Sequence, residues 1–233
     1  MAAGIVASSL IISKTMIEVK KMGQEVISVT GSAEQNIVSD YAVWRAEFWR
    51  RDPLLPAAFG LVREDLKKVR EYLVSKGIRE EEIVAAQAST STFYRKNEKG
   101  GDTNDVEGYH ITQVIEVRTA DVDAVTRVSR ESTELIDQGI QFSSQSPEYF
   151  YTKLGDLKVE MLAKATSNAK LRAEKMTGSA GNAIGLMRSA RMGVFQITPV
   201  NSLEVSDWGV NDTSSLEKKV TAVVNVSFSI KGA

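Results

Sequence analysis

The last strand-forming stretch of the chain constrains its fold more than any other feature. Val220, Ala222, Val224, Val226, Phe228 and Ile230 recur at every second position, with Thr221, Asn225, Ser227 and Ser229 between them and Val223 as the exception. Successive side chains of a strand point to opposite faces, so this period of two specifies one dry face and one wet face. Such a sheet needs a second layer over its dry face. A helix predicted over 154–179 suits that role, its apolar face marked by Leu157, Met161, Ala165, Ala169, Ala173 and Met176. The reading is therefore α+β.

Upstream, Val26, Ser28 and Thr30 alternate against Glu25, Ile27 and Val29, with Gly31 and Ser32 as an interruption of bulge type. Asp40 opens a turn, and Ala42, Trp44, Ala46 and Phe48 share one face of a second strand. Asp52 then reads as an N-cap and Pro53 as a first helical residue, with Pro56 shifting the start later. Ala58, Val62, Leu66, Val69 and Leu73 form a helical stripe that ends at Gly77. A strand over 83–94, a polar hairpin tip around Gly100 and Gly101, and a return strand through Tyr109, Ile111, Ile115 and Val117 follow. Asp121 caps a second helix with the stripe Val125, Val128, Ser132 and Leu135, which stops at Gly139. An extended run over 141–151 contains Pro147, a residue confined to strand edges and bulges. After the long helix, 186–197 alternates again and a polar loop spans 199–216.

The expected order is ββαββαβαββ. Residues 41–152 carry the βαββαβ order of a ferredoxin-like lobe. It is embedded in a second α+β lobe made of the first strand (24–40) and residues 153–233, with the long third helix and two strands. Residues 1–23 stand apart as an apolar N-terminal segment. Ala2–Ile12 is apolar or small throughout, and Lys14, Lys20 and Lys21 follow. A bilayer span needs about 20 apolar residues, so the run is too short alone. It reads as the tail of a signal anchor, as an apolar helix packed on the protein or a partner, or as a poorly formed cleavable signal.

Composition narrows the chemistry. Lys and Arg total 29 against 30 Asp and Glu, so the basic excess of a duplex-binding domain is missing and no nucleic acid is expected. The absence of cysteine excludes disulfides, cysteine–zinc sites and thiol catalysis together.

The motifs resemble those of the SIMPL-domain family of bacterial envelope proteins. The similar residues are Val29-Thr30-Gly31 with Asp40, Lys76-Gly77-Ile78, Glu82-Ile83 leading to Tyr94, Gly108-Tyr109, Asp121 with Asp123, and Gly139 before Phe142. The Ala- and Lys-rich segment 163–180 with Gly181 and Gly185 completes the set. The resemblance spans about residues 25–230. It implies an α+β fold of two intertwined lobes, export to the periplasm or cell surface, and a tendency to form homo-oligomers. It implies no catalytic residues. Many members carry proline just before the hairpin aspartate, where this chain has Ser39.

Candidate sites are few. His110, the single histidine, shares a strand face with Thr112, Val114 and Glu116; without a second ligand or a nucleophile it reads as an ordinary strand position. Asp102, Asn104, Asp105 and Glu107 make an oxygen-rich tip, but Val106 occupies a ligand place and the EF-hand glycine is missing, so a solvated hairpin tip is expected. Gly178, Gly181 and Gly185 follow a helix, whereas phosphate loops precede one. No catalytic, metal or cofactor set is expected. Trp44, Arg45, Phe48, Trp49, Arg50 and Arg51 mix aromatic and basic groups, but alternation sends Trp44 and Phe48 to the core and leaves Arg45 and Trp49 on the other face. Trp208, in the long polar loop, is either folded back on the body or kept for a partner. Trp49 and Trp208 are thus the candidate contact surface. The leading functional expectation is a non-enzymatic envelope protein that self-assembles or scaffolds. Beside it stand a small-molecule or lipid-binding module with a pocket between the lobes, and a carboxylate-dependent hydrolase recognisable by a buried carboxylate pair of raised pKa.

Overall fold

The computed structural model describes Ser13 and residues 25–231. The apolar run Ala2–Ile12 lies outside them. Among the described residues the chain is α+β, with four helices and two sheets. It divides into two compact units. Among the described residues one comprises 25–37, Lys153–Asp212 and 217–231; the other comprises Val38–Thr152 and Thr213–Leu216.

The central unit holds β2 (Tyr41–Asp52), α1 (Leu55–Ser75), β3 (Ile83–Ala85), β4 (Ser89–Lys96), β5 (Asp102–Thr119), α2 (Val122–Glu131), α3 (Glu134–Asp137), β6 (Gln141–Ser144) and β7 (Glu148–Phe150). Its sheet runs β3-β5-β2-β6, with β4 extending the ladder on β5 and β7 that on β2. Every pairing is antiparallel. This is the split-βαβ, ferredoxin-like arrangement. α1 and α2 cover one face, where Trp44, Phe48, Ile111, Ile115 and Val117 meet Val62, Val69, Leu73, Val125 and Val128. Two of the expected strands divide. The 83–94 run breaks at Ala86, whose carbonyl accepts from Gln113 Nε2 at 2.5 Å, and the 141–151 run breaks before Pro147. The second helix also divides, at Ser132 and Thr133. Asp121 caps α2 as expected, accepting from Ala124 N at 2.9 Å. Asp52 does not cap α1: Leu54 holds the N-cap position, and Asp52 Oδ1 instead accepts from Leu54 N at 2.8 Å. Pro56 falls in the first turn and sets the later start.

The proline departure at Ser39 has a structural counterpart. Ser39 N donates to Leu216 O at 2.9 Å, a bond that proline, lacking the N–H, cannot make. Next to it, Asp40 accepts from both Thr152 N (2.7 Å) and Thr152 Oγ1 (2.8 Å).

The other unit holds β1 (Val26–Val38, less its last residue), α4 (Leu154–Ser179), β8 (Ala183–Met192), β9 (Gln196–Pro199), β10 (Val210–Asn211) and β11 (Glu217–Lys231). Its sheet runs β1-β11-β9-β10, and β8 pairs with β11 beyond the end of β9. Val220, Ala222, Val224, Val226 and Phe228 are buried, as the period of two requires. So is the α4 face of Leu157, Met161, Ala165, Ala169 and Ala173, whereas Met176 is exposed and Thr177 takes the buried place. Residue 177 continues the four-residue spacing of the alanines, which Met176 breaks. Gly31 does not interrupt β1. A Cβ there would lie 2.2 Å from Ala165 O and 2.6 Å from Ala169 Cβ, so the glycine lets strand and helix approach. The long polar loop is pinned by Gln196, which donates to Ser206 O (2.7 Å) and accepts from Val210 N (2.9 Å). Among the described residues no helix is long and apolar enough to cross a membrane.

Candidate contact surfaces

The face of the central sheet opposite α1 and α2 is where Trp49 stands. Strand pairing places Arg45, Glu47, Trp49 and Arg51 of β2 beside Glu116, Val114, Thr112 and His110 of β5. Residues directly opposite in antiparallel strands share a face. At one end the face carries ion pairs: Arg45 bonds Glu116 (2.6 Å) and Glu148 (2.7 Å), and Arg118 also reaches Glu116. At the other end it carries rings. Trp49 stacks on His110 with centroids 6.3 Å apart, and Phe93 meets His110 edge-on at 5.8 Å. The Arg51 guanidinium lies over the Phe93 ring, 4.1 Å from its centroid, while its Nε donates to His110 Nδ1 at 3.2 Å. The accepting Nδ1 puts the imidazole proton on Nε2. Burial and the Arg51 cation hold His110 below the ordinary histidine value, with Glu47 opposing them more weakly.

His110 is thus more than an ordinary strand position, because it joins three side chains from two other strands. Periodicity placed Trp49 and Arg45 together correctly. It could not bring Phe93 of β4 under Arg51 of β2, since that depends on both strands flanking β5 in register. Beyond Phe93 the face is bare at Gly108, and an open pocket of about 270 Å³ is bordered by Arg51, Asp52, Phe93, Glu107, Gly108 and Tyr109. On its other side Arg51 borders a shallower groove with Trp49, Ile136 and Gln141. Of the acidic hairpin tip, only Glu107 belongs to this pocket, and the described residues contain no cluster of metal-ligating groups.

The second surface belongs to the other unit. Trp208 is 94% exposed, so its side chain is not folded back on the body. Leu203 and Val205 of the same loop are exposed too, as are Leu186, Met187 and Met192 of β8. Among the described residues β8 pairs with β11 alone and is exposed along most of its length. The other edge strand of the sheet, β1, is treated differently: Asn168 Oδ1 of α4 accepts from Ser32 N (3.2 Å) and Arg172 Nη1 donates to Thr30 O (3.0 Å). Those bonds occupy backbone groups that an incoming strand would use. Gly181 ends α4 with φ of 75°, a C-terminal glycine, and Gly185 packs tightly against Ser229, its added Cβ falling 2.4 Å from Ser229 Oγ.

The buried carboxylates of the central unit are each matched to a cation. Asp65 takes Arg50 Nε and Nη2 at 2.5 and 2.9 Å. Glu82 takes Arg79 Nη2 and Thr119 Oγ1, both at 2.6 Å. Burial raises the Glu82 carboxyl, but the bonds from Arg79 and Thr119 outweigh it and hold it below the usual range.

These features define an α+β protein with two sheets, one in each unit, and open contact faces. The SIMPL family model, described as a protein of unknown function (DUF541), matches residues 27–228, and the chain belongs to that family. No curated protein matches the chain. Among solved structures it is similar to an amidase of the hydantoinase/carbamoylase family from Burkholderia phymatum, at 8% identity over 52% of this chain and a TM-score of 0.31. The chain spans only about a third of that amidase (32%). It is also similar to the de novo designed protein Foldit4, at 16% identity over 45% of this chain and 93% of the design, with a TM-score of 0.22.

Proposed function

We propose that the chain is a non-enzymatic component of the bacterial cell envelope that self-assembles or scaffolds, with β8 and the Trp208 loop as its contact surface. The observation that carries this is the open edge of β8, with Leu186 72% exposed and Trp208 in the neighbouring loop fully presented. An exposed edge is a template for pairing with another chain; β8 presents Leu186, Met187 and Met192 there, interspersed with Arg188 and Arg191. The same sheet does cover its other edge with Asn168 and Arg172. The loop is held by Gln196, so Trp208 is offered on an ordered support at small entropic cost to a partner. An extracytoplasmic setting, with the N-terminal segment as membrane anchor, accords with membership of the SIMPL family.

The test is the solution mass of the full chain across a concentration series, by light scattering after size exclusion. A discrete oligomer is expected, reduced in mass by Leu186→Lys and by Trp208→Ala. A monomer at every concentration, or an oligomer indifferent to both substitutions, overturns the reading.

A further inference from the structure

A cavity of about 540 Å³ lies within the unit built on α4 and β11, at the end where α4 begins. Strand pairing fixes which side of the sheet it occupies. Met192 stands opposite Val224 and Ile197 opposite Val220, both buried on the α4 side, and Asn211 stands beside Ile197. Leu154 and Lys158, one helical turn apart, close the cavity from α4. The Lys158 ammonium sits over the Phe195 ring, 5.4 Å from its centroid. Gly209, at φ of 87°, brings the Trp208 loop against the Phe195 backbone, where an added Cβ would fall 2.8 Å from Phe195 O. Trp208 thereby stands at the rim.

The wall is apolar except at one end. Met192, Val194 and Trp208 are exposed along it, and Lys158 is its one charged side chain. Neither Lys158 nor the Asn211 carboxamide makes a side-chain hydrogen bond or ion pair among the described residues. No carboxylate borders the cavity: Asp212 is turned to Lys218 at 3.3 Å, and Asp156, two residues from Leu154, lies on another side of the helix. This pattern separates ligands by charge and shape. A cation meets an ammonium with no carboxylate to offset it. A small anion leaves the apolar wall in water, and a neutral hydrocarbon covers the ammonium without a counter-charge. We propose that the cavity binds a single-chain amphiphile with an anionic head, that is, a fatty acid. Its carboxylate accepts from Lys158 and Asn211, and its chain runs along Met192, Val194 and Trp208. The volume lies in the range of small-molecule sites. The cavity is complete within one chain, so binding does not require assembly through β8, although Trp208 borders both surfaces.

The experiment is isothermal titration calorimetry on the full chain, with decanoate below its micellar concentration as the probe. Binding is expected with a dissociation constant on the order of 0.1 mM. Acetate, which lacks the chain, and decyltrimethylammonium, which reverses the head charge, should each bind at least tenfold more weakly. Lys158→Gln removes a charge with no ion pair to break, and Met192→Glu places a carboxylate on the exposed apolar wall. Each should weaken decanoate about tenfold at an unchanged melting temperature. Decanoate should also move tryptophan emission to shorter wavelength, and Trp208→Phe should remove that shift. Leu186→Lys, outside the cavity, should leave binding intact even where it lowers the assembled mass, which separates this site from the β8 contact. Neither heat nor an emission shift with decanoate, or decyltrimethylammonium binding as tightly, overturns the proposal. So does affinity that survives both Lys158→Gln and Met192→Glu, a shift that persists in Trp208→Phe, or binding lost in Leu186→Lys.

Discussion

Gly31→Ala is the sharpest test of how the unit built on α4 and β11 holds together. Glycine in a strand interior ordinarily costs about 0.5–1 kcal/mol relative to alanine, so an added methyl would stabilise an unobstructed strand. Here the added Cβ falls 2.2 Å from Ala165 O, 2.5 Å from Ala169 N and 2.6 Å from Ala169 Cβ. Two of those three atoms are helix backbone, which cannot rotate away as a side-chain tip can. Real Cβ atoms essentially never come within 3.0 Å of such neighbours, so α4 must withdraw by about 0.8 Å at this point. That loosens the close packing along Ala165, Ala169 and Ala173, all of which are fully buried. Overpacking of this kind costs about 1–3 kcal/mol, and the backbone obstruction puts Gly31→Ala at the upper end, about 3 kcal/mol. For a chain of this size the corresponding fall in melting temperature is about 6–12 °C. The control is Gly60→Ala. Gly60 lies inside α1 with open space around it, so the same substitution there should stabilise by about 0.5–1 kcal/mol. Thermal unfolding followed by circular dichroism reads both. A Gly31→Ala protein as stable as the wild type, or shifted in the same direction as Gly60→Ala, would refute the close-approach requirement.

Two further outcomes follow from buried charge. Arg50→Met leaves the Asp65 carboxylate, whose side chain is 3% exposed, without its bidentate partner; the expected loss is about 3–5 kcal/mol by urea denaturation, and the double variant Arg50→Met/Asp65→Leu should recover most of it. For His110, whose folded value lies below 6.5, the unfolded chain binds the proton first as pH falls. Stability should therefore decline as pH drops below 6.5 and level off once the folded imidazole is also protonated, and His110→Phe should flatten that part of the melting-temperature profile. A wild-type profile no steeper than the variant's between about pH 7 and pH 5 would show that burial and the Arg51 cation do not hold the imidazole neutral.

The periodic parts of the chain were legible before any coordinates. Long amphipathic segments announce themselves because burial repeats at the period of the backbone: α4 spans Leu154–Ser179 as its stripe predicts, and β11 buries Val220 to Phe228 at alternate positions, the pattern slipping only at its end, where Ser229 is buried and Ile230 half-buried. Caps with their own chemistry were equally readable, as Asp121 is. Asp52 was not, because an aspartate two residues before a helix can cap it or close a turn, and Pro56 decides between them. The break in the 83–94 run coincides with a long-range contact, Gln113 reaching Ala86, that leaves no local signature, whereas the break in 141–151 is signalled locally by Pro147.

The candidate surfaces divide in the same way. Sequence alone determined that the chain is α+β, without cysteine chemistry and without a net basic excess, and that Trp49 and Trp208 fall outside the apolar patterns. Strand pairing alone decided that Arg51, Phe93 and His110 meet, because residues dozens of positions apart become neighbours only through the register of β2, β5 and β4. It also decided that β8 is left as an open edge while β1 is covered. Period and propensity are properties of consecutive residues, whereas a site or an edge depends on which strands lie side by side, and that is settled by packing across the whole sheet.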